Sequence, residues 1–218
     1  MPHISLGNDA PGIVSLFAYR PETAKPLCDL AEVLLRGPSS LGRGERELIA
    51  AYVSALNECR YCSSSHSACA AAQLPGGMAL VEQVRADASD APVSAKLKAL
   101  LAIAAAVQHS GLSVTAGQVT DARAAGASDL EIHDTVLIAA AFCMMNRYVD
   151  GLAAITAGAR RLIKDGYVPP SAQRQCDRHR LMPPCARCLC CAGIRCAAKG
   201  GGYAIRARAS LASAETPR

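Results

Sequence analysis

The stretch SDLEIHDTVLIAAAFCMMNRYVDGLAAITA, residues 128–157, decides the fold. It opens on Ser128 with Glu131 three positions on, the pair that satisfies the first unbonded N–H groups of a helix reciprocally. Behind this start, Ile132, Val136, Ala139, Ala140 and Cys143 recur at helical spacing and make one apolar stripe. The pattern predicts a long helix to about residue 157, with Gly158 as its stop.

Working outward, the same punctuation repeats. Thr115-x-x-Gln118 starts a helix that Gly126 ends. Over 92–109, Leu97, Leu100, Leu101, Ala104 and Val107 share a face. Helices over 60–73 and 77–88 flank Pro75-Gly76-Gly77. One over 43–57 carries the stripe Leu48, Ile49, Tyr52, Val53 and Leu56. Pro21 and Glu22 open a first helix that Gly37 and Pro38 stop. No segment alternates at period two long enough for a strand. With 51% apolar residues and no Trp, Ala- and Leu-rich helices have material for a close-packed core. The expected fold is all-α: a bundle of six to seven helices, antiparallel neighbours joined by short loops.

Residues 1–171 read as this helical domain. After Pro169-Pro170 the character changes. Residues 172–218 hold nine Lys+Arg against two Asp+Glu and six of the eleven cysteines, Cys176, Cys185, Cys188, Cys190, Cys191 and Cys196, without an apolar period. The segment reads as a basic, disordered or foreign extension, even an out-of-frame translation. Cys176-x2-His179 with Cys185-x2-Cys188 is a loose tetrahedral zinc set, without hydrophobic support. The first 171 residues carry 14 Lys+Arg against 16 Asp+Glu, which gives no electrostatic reason to expect nucleic acid. The N-terminus lacks the pattern of an export signal, and no apolar run reaches the roughly 18 residues of a membrane span. The expected compartment is the cytoplasm, where a close Cys pair points to redox or metal chemistry.

Such a pair lies in the stretch from Glu47 to His66, ELIAAYVSALNECRYCSSSH. Cys59 falls at the predicted helix start and Cys62 one turn on, so the two sulfurs can come within bonding reach. His66, four residues past Cys62, lies over the same face. A free thiol titrates near 8.5; a helix N-terminus and an adjacent imidazole both favour the nucleophilic thiolate, and Arg60 can add to this. Attack on a peroxide O–O bond gives a sulfenic acid, which a second thiol condenses to a disulfide. An external thiol or dithiol then restores the pair. The plain alternative is two buried cysteines acting as small hydrophobes.

Glu47 followed by CxxCxxxH resembles the alkylhydroperoxidase (AhpD-like) branch of the carboxymuconolactone decarboxylase-like superfamily. The stretches Glu45-Arg46-Glu47-Leu48-Ile49, Val53-Ser54-Ala55-Leu56-Asn57 and Phe142-Cys-Met-Met-Asn146-Arg147-Tyr-Val-Asp150-Gly151 look like its peroxidase-related members. The resemblance covers about 10–168. It implies a thiol-dependent peroxidase with Cys62 as the peroxidatic sulfur polarised by His66, Cys59 as the resolving sulfur, and Glu47 at the head of a proton relay. It also implies a trimer or hexamer and a lipoylated or thioredoxin-like reductant, with no cofactor and no metal. Tyr61 departs from the His that the best-known members carry before the second Cys, which bears on any relay serving Cys59. The rival readings are a carboxymuconolactone decarboxylase-type lyase on the same fold, which has no evident use for a dithiol, and a non-enzymatic redox or metal-binding module using the tail. Cys28, Cys69 and Cys143 are read as core, His133 as without a role, and Asn146, Arg147 and Asp150 as a buried or intersubunit polar cluster.

Overall fold

The structure, a computed structural model, describes residues 1–154. The extension at 172–218, its zinc pattern and its expected disorder lie outside the described residues. Within 1–154 every regular element is helical: α1 (Ile13–Tyr19), α2 (Pro21–Arg36), α3 (Arg43–Leu56), α4 (Arg60–Ala71), α5 (Gly77–Ala86), α6 (Ala95–His109), α7 (Ala116–Ala124) and α8 (Asp129–Gly151), with a 3-10 turn at Gly111–Ser113. The all-α expectation holds, and the seven expected helices are α2–α8.

The predicted caps do the work assigned to them. Thr115 Oγ1 accepts from Gln118 N at 3.2 Å while the Gln118 side chain returns to Thr115 N at 2.9 Å. Ser128 and Glu131 repeat this at 3.2 and 2.8 Å at the start of α8. Glu131, buried at its core-facing position, also accepts from Lys96 at 2.8 Å and Ser40 at 3.0 Å, so one carboxylate ties together α6, α8 and the loop before α3.

Two differences from expectation have local causes. α8 stops at Gly151 rather than near 157. There Ala153 takes φ 47°, Ala153 N bonds Asp150 O at 2.9 Å, and Ala154 N bonds Val149 O at 3.0 Å. This is the Schellman closure, made with alanine in the left-handed position that glycine usually fills, so no residue type announced it. The additional helix α1 starts after Gly12 at φ 57°, with no side-chain cap.

The interior has two apolar clusters. The larger gathers Leu48, Ile49 and Val53 of α3, Leu100, Leu101 and Ile103 of α6, and Ile138 and Phe142 of α8. Burying each such side chain is worth about 1.5–3 kcal/mol, which makes this cluster the main source of stability. α3 sits at its centre and packs most extensively on α4. The smaller cluster joins Ile13, Leu16 and Phe17 of α1, Cys28 and Ala31 of α2, and Met145 and Val149 of α8 around Cys59 and Cys62. The N-terminal segment is held over it by His3 N to Leu152 O and Gly12 N to Ala154 O, each 3.0 Å.

Candidate active site

The corner between α3 and α4 sets the site. Glu58 adopts φ 58°, Glu58 N bonds Ala55 O at 2.9 Å, and Cys59 N bonds Ser54 O at 3.0 Å, a second Schellman closure. A left-handed residue other than glycine costs about 1–2 kcal/mol, offset here by the surrounding packing. The closure leaves Cys59 as the N-cap of α4, where its carbonyl accepts from Ser63 N at 2.9 Å. Cys62 follows in the first turn. Both are buried, at 0% and 4% exposure, and both are carried as thiols.

One turn beyond Cys62, His66 faces back onto α3. Its Nδ1 lies 2.6 Å from Oε2 of Glu47. The Glu47 side chain is only 3% exposed and that of His66 13%, so this contact is shielded from water. An ionised Glu47 can only accept, so in that pairing Nδ1–H is the donor and Nε2 is the nitrogen left to exchange a proton. The edge-to-face contact with Phe142, centroids 4.6 Å apart and planes at 85°, holds the ring in place. On its other oxygen Glu47 has the guanidinium of Arg36 at 3.9 Å, and Arg36 also reaches Glu32 at 3.0 Å.

The sequence-derived residues therefore assemble on one helical hairpin: Cys59, Cys62 and His66 on α4, and Glu47 on α3 touching His66. Arg36 and Phe142 belong beside them and were not singled out for this. Their signal, a cation ending one helix and an aromatic midway along another, needs tertiary distances to be read.

The expected polar cluster on α8 divides. Asn146 is buried; it accepts from Asn57 at 2.9 Å and donates to Ser54 at 3.1 Å, bracing the α3–α4 corner. Arg147 and Asp150 are exposed on the single chain, so of the two expected settings, buried or intersubunit, the buried one is corrected for them. Partial burial raises the Asp150 carboxyl above the ordinary value, and the influence of the Cys59 thiol works against the rise. Cys28, Cys69 and Cys143 are buried as expected. Tyr61 packs with the N-terminal segment: a Cβ at Gly12 would stand 2.3 Å from its ring, so glycine is required there by space as well as by φ. Among the described residues no group of three or more His, Cys, Asp or Glu is placed to hold a metal ion, and no helix is long and apolar enough to cross a membrane.

Fold and site together define an all-helical protein with an alkylhydroperoxidase-like core, its cysteine pair opening one helix beside a Glu–His couple. The chain belongs to the carboxymuconolactone decarboxylase family, whose model matches residues 21–73 and 75–157. Among solved structures it is similar to an uncharacterized peroxidase-related protein from Silicibacter sp. TM1040, with 28% identity and a TM-score of 0.62 over 67% of this chain and 76% of that one. It is also similar to the alkylhydroperoxidase AhpD core of an uncharacterized peroxidase-related protein from Ralstonia eutropha JMP134, with 25% identity and a TM-score of 0.61 over 72% and 82% of the two chains. No curated protein matches the chain.

Proposed function

We propose that the protein is a thiol-dependent peroxidase that reduces hydroperoxides through a Cys59–Cys62 dithiol/disulfide cycle. The observation that carries the reading is the shielded 2.6 Å contact between Glu47 and His66, one helical turn from Cys62. With Nδ1–H donating to the carboxylate, Nε2 of His66 takes the Cys62 proton. The thiolate attacks one peroxide oxygen, the O–O bond breaks, and the departing alkoxide recovers the proton as an alcohol. Cys62 is left as the sulfenic acid. The Cys59 sulfur then displaces hydroxide, which leaves as water, and the disulfide forms. An external dithiol, lipoylated or thioredoxin-like, supplies the two electrons that reopen it.

The test is a thiol count by peptide mapping after one equivalent of hydroperoxide. The wild type is expected to lose two thiols, at Cys59 and Cys62, in a fast phase that Cys62→Ser abolishes. A fast phase that survives this substitution overturns the nucleophile assignment. Decarboxylation of a muconolactone without peroxide turnover overturns the peroxidase reading in favour of a lyase.

A further inference from the structure

We propose that Asn146 is a positioning residue for the thiol pair. Its side-chain amide locks the α3–α4 corner in the shape that presents Cys59 to Cys62, and so sets how fast and how firmly the disulfide closes. The inference rests on the dithiol cycle above and deepens it: the Glu47–His66 couple serves Cys62, and a separate amide clamp on α8 serves Cys59.

The two cysteines are placed by different means. Cys62 lies in the first turn of α4, on the same helix as His66, so helix geometry fixes it against the Glu47–His66 couple. Cys59 stands outside that helix as its N-cap, with extended backbone at φ −75° and ψ 92°. Its direction is set by the corner before it, where Glu58 takes φ 58°. A residue other than glycine holds such a conformation only when its surroundings over-determine it. Glu58 itself is exposed, so the constraint comes from the residues around it.

Those residues are gripped from two other helices. Asn146 of α8, only 1% exposed, donates through Nδ2 to Ser54 Oγ at 3.1 Å and accepts through Oδ1 from Asn57 Nδ2 at 2.9 Å. Ser54 is the residue whose carbonyl receives Cys59 N at 3.0 Å, and Asn57 is the C-cap of α3. The Asn57 amide is oriented in turn by Gln108 of α6, whose Nε2 donates to Asn57 Oδ1 at 3.0 Å and to Leu56 O at 3.3 Å. The residue type at 146 matters: a carboxylate there could only accept, and an aliphatic side chain could do neither. Bonds that served stability alone could lie anywhere along α8. These converge on residues 54–57, directly ahead of the resolving sulfur.

The reaction that this corner serves needs no further reactant. The Cys59 S–H bond breaks, its electron pair forms the S–S bond to Cys62, and the S–O bond of the Cys62 sulfenic acid breaks. The departing hydroxide combines with the released proton and leaves as water. The rate depends on how one sulfur approaches the other, and a misplacement of about 1 Å can cost about 10²-fold.

The experiment compares the full chain in four forms: wild type, Asn146→Leu, Ser54→Ala and, as a destabilised control at the opposite end of α8, Glu131→Gln. Each is mixed with one equivalent of tert-butyl hydroperoxide. Loss of the Cys62 thiol, Cys62 sulfenic acid trapped with a dimedone-type probe, and the Cys59–Cys62 disulfide are followed separately by mass spectrometry. The reduction potential of the pair is measured by equilibration with reduced and oxidised dithiothreitol, which requires no peroxide. Asn146→Leu, which keeps the bulk and removes the amide, is expected to lose the Cys62 thiol within about twofold of the wild-type rate. It is expected to close the disulfide about ten- to hundredfold more slowly, with sulfenic acid accumulating. Its potential should rise by at least about 30 mV, the equivalent of a tenfold weaker disulfide. Ser54→Ala, which removes one of the amide's two partners, should move closure and potential the same way by less, and it decides the question should Asn146→Leu not fold. Glu131→Gln should melt earlier with closure and potential unchanged, which separates positioning from loss of stability. Wild-type closure and potential in the folded variants overturn this inference and leave the peroxidase reading intact. An equal slowing of Cys62 thiol loss also overturns it, because the amide would then support the whole site rather than Cys59. Failure of the wild type to lose the two thiols to hydroperoxide overturns the peroxidase reading, and the dithiothreitol potentials then decide the clamp by themselves.

Discussion

Replacing Glu47 by Gln removes a charge from the buried couple and almost nothing else. The side chain keeps its length and can still accept from His66 Nδ1 at about the observed 2.6 Å. Arg36, 3.9 Å away on the other side, keeps Glu32 at 3.0 Å. What changes is the kind of hydrogen bond. A bond to a charged group contributes about 1.5–3 kcal/mol and a neutral one about 0.5–1.5 kcal/mol. The difference, about 1.5 kcal/mol, falls on the state in which the ring has taken the thiol proton. That corresponds to slightly more than a tenfold loss in rate. The loss grows if the amide turns its NH2 toward Nδ1, because the ring then holds its proton on Nε2 and has no lone pair left for the thiol. The assay is stopped-flow loss of the Cys62 thiol after mixing with tert-butyl hydroperoxide. Thermal unfolding is followed in parallel, and Glu47→Ala serves as a second arm in which the contact is lost altogether. The expected result is a ten- to hundredfold slower first phase in folded Glu47→Gln. A rate within twofold of wild type in a folded variant would refute the relay, whatever the fate of Cys59.

Two further outcomes follow from the packing. Burial opposes the charge on Glu131, yet Lys96, the Ser128 N–H and Ser40 together hold its carboxyl down to about 2 in the folded chain. Because the folded value lies below the unfolded one, the stabilisation, about 3 kcal/mol, is present above pH ~4.5 and is lost as pH falls toward ~2. Melting temperatures across that range should fall steeply in wild type and more gently in Glu131→Gln, and parallel curves would contradict the assignment. Gly12→Ala meets both a left-handed backbone and the Tyr61 ring at 2.3 Å. The N-terminal segment should lift, and Cys59 and Cys62 should alkylate with iodoacetamide at least about fivefold faster, given about 1–2 kcal/mol for the backbone term alone. Unchanged alkylation would mean that the segment does not shield them.

The parts legible in the sequence were those encoded within a few residues. The capping boxes at Thr115 and Ser128 and the stripes of α3, α6 and α8 gave the elements, because caps and periodicity are local signals. Glu47 and His66 could be paired because a family resemblance supplied a contact that spans two helices. The end of α8 was misplaced because the left-handed position falls on Ala153, a residue with no preference for it. α1 was missed because its start rests on Gly12 and on tertiary bonds to Ala154 rather than on a side-chain cap.

The corner at Asn57, Glu58 and Cys59 also acts as a ruler. An α-helix turns about 100° and advances about 1.5 Å per residue. One amino acid inserted between Leu56 and Arg60 would swing His66 toward a different flank of the bundle and separate it from Glu47, even if both helices stayed intact. The loop at 72–76, which joins α4 to α5, carries no comparable burden and could lengthen at little cost to the chemistry. In a graft of this hairpin onto another scaffold, the number of residues in the corner would therefore have to be copied as faithfully as the cysteines themselves.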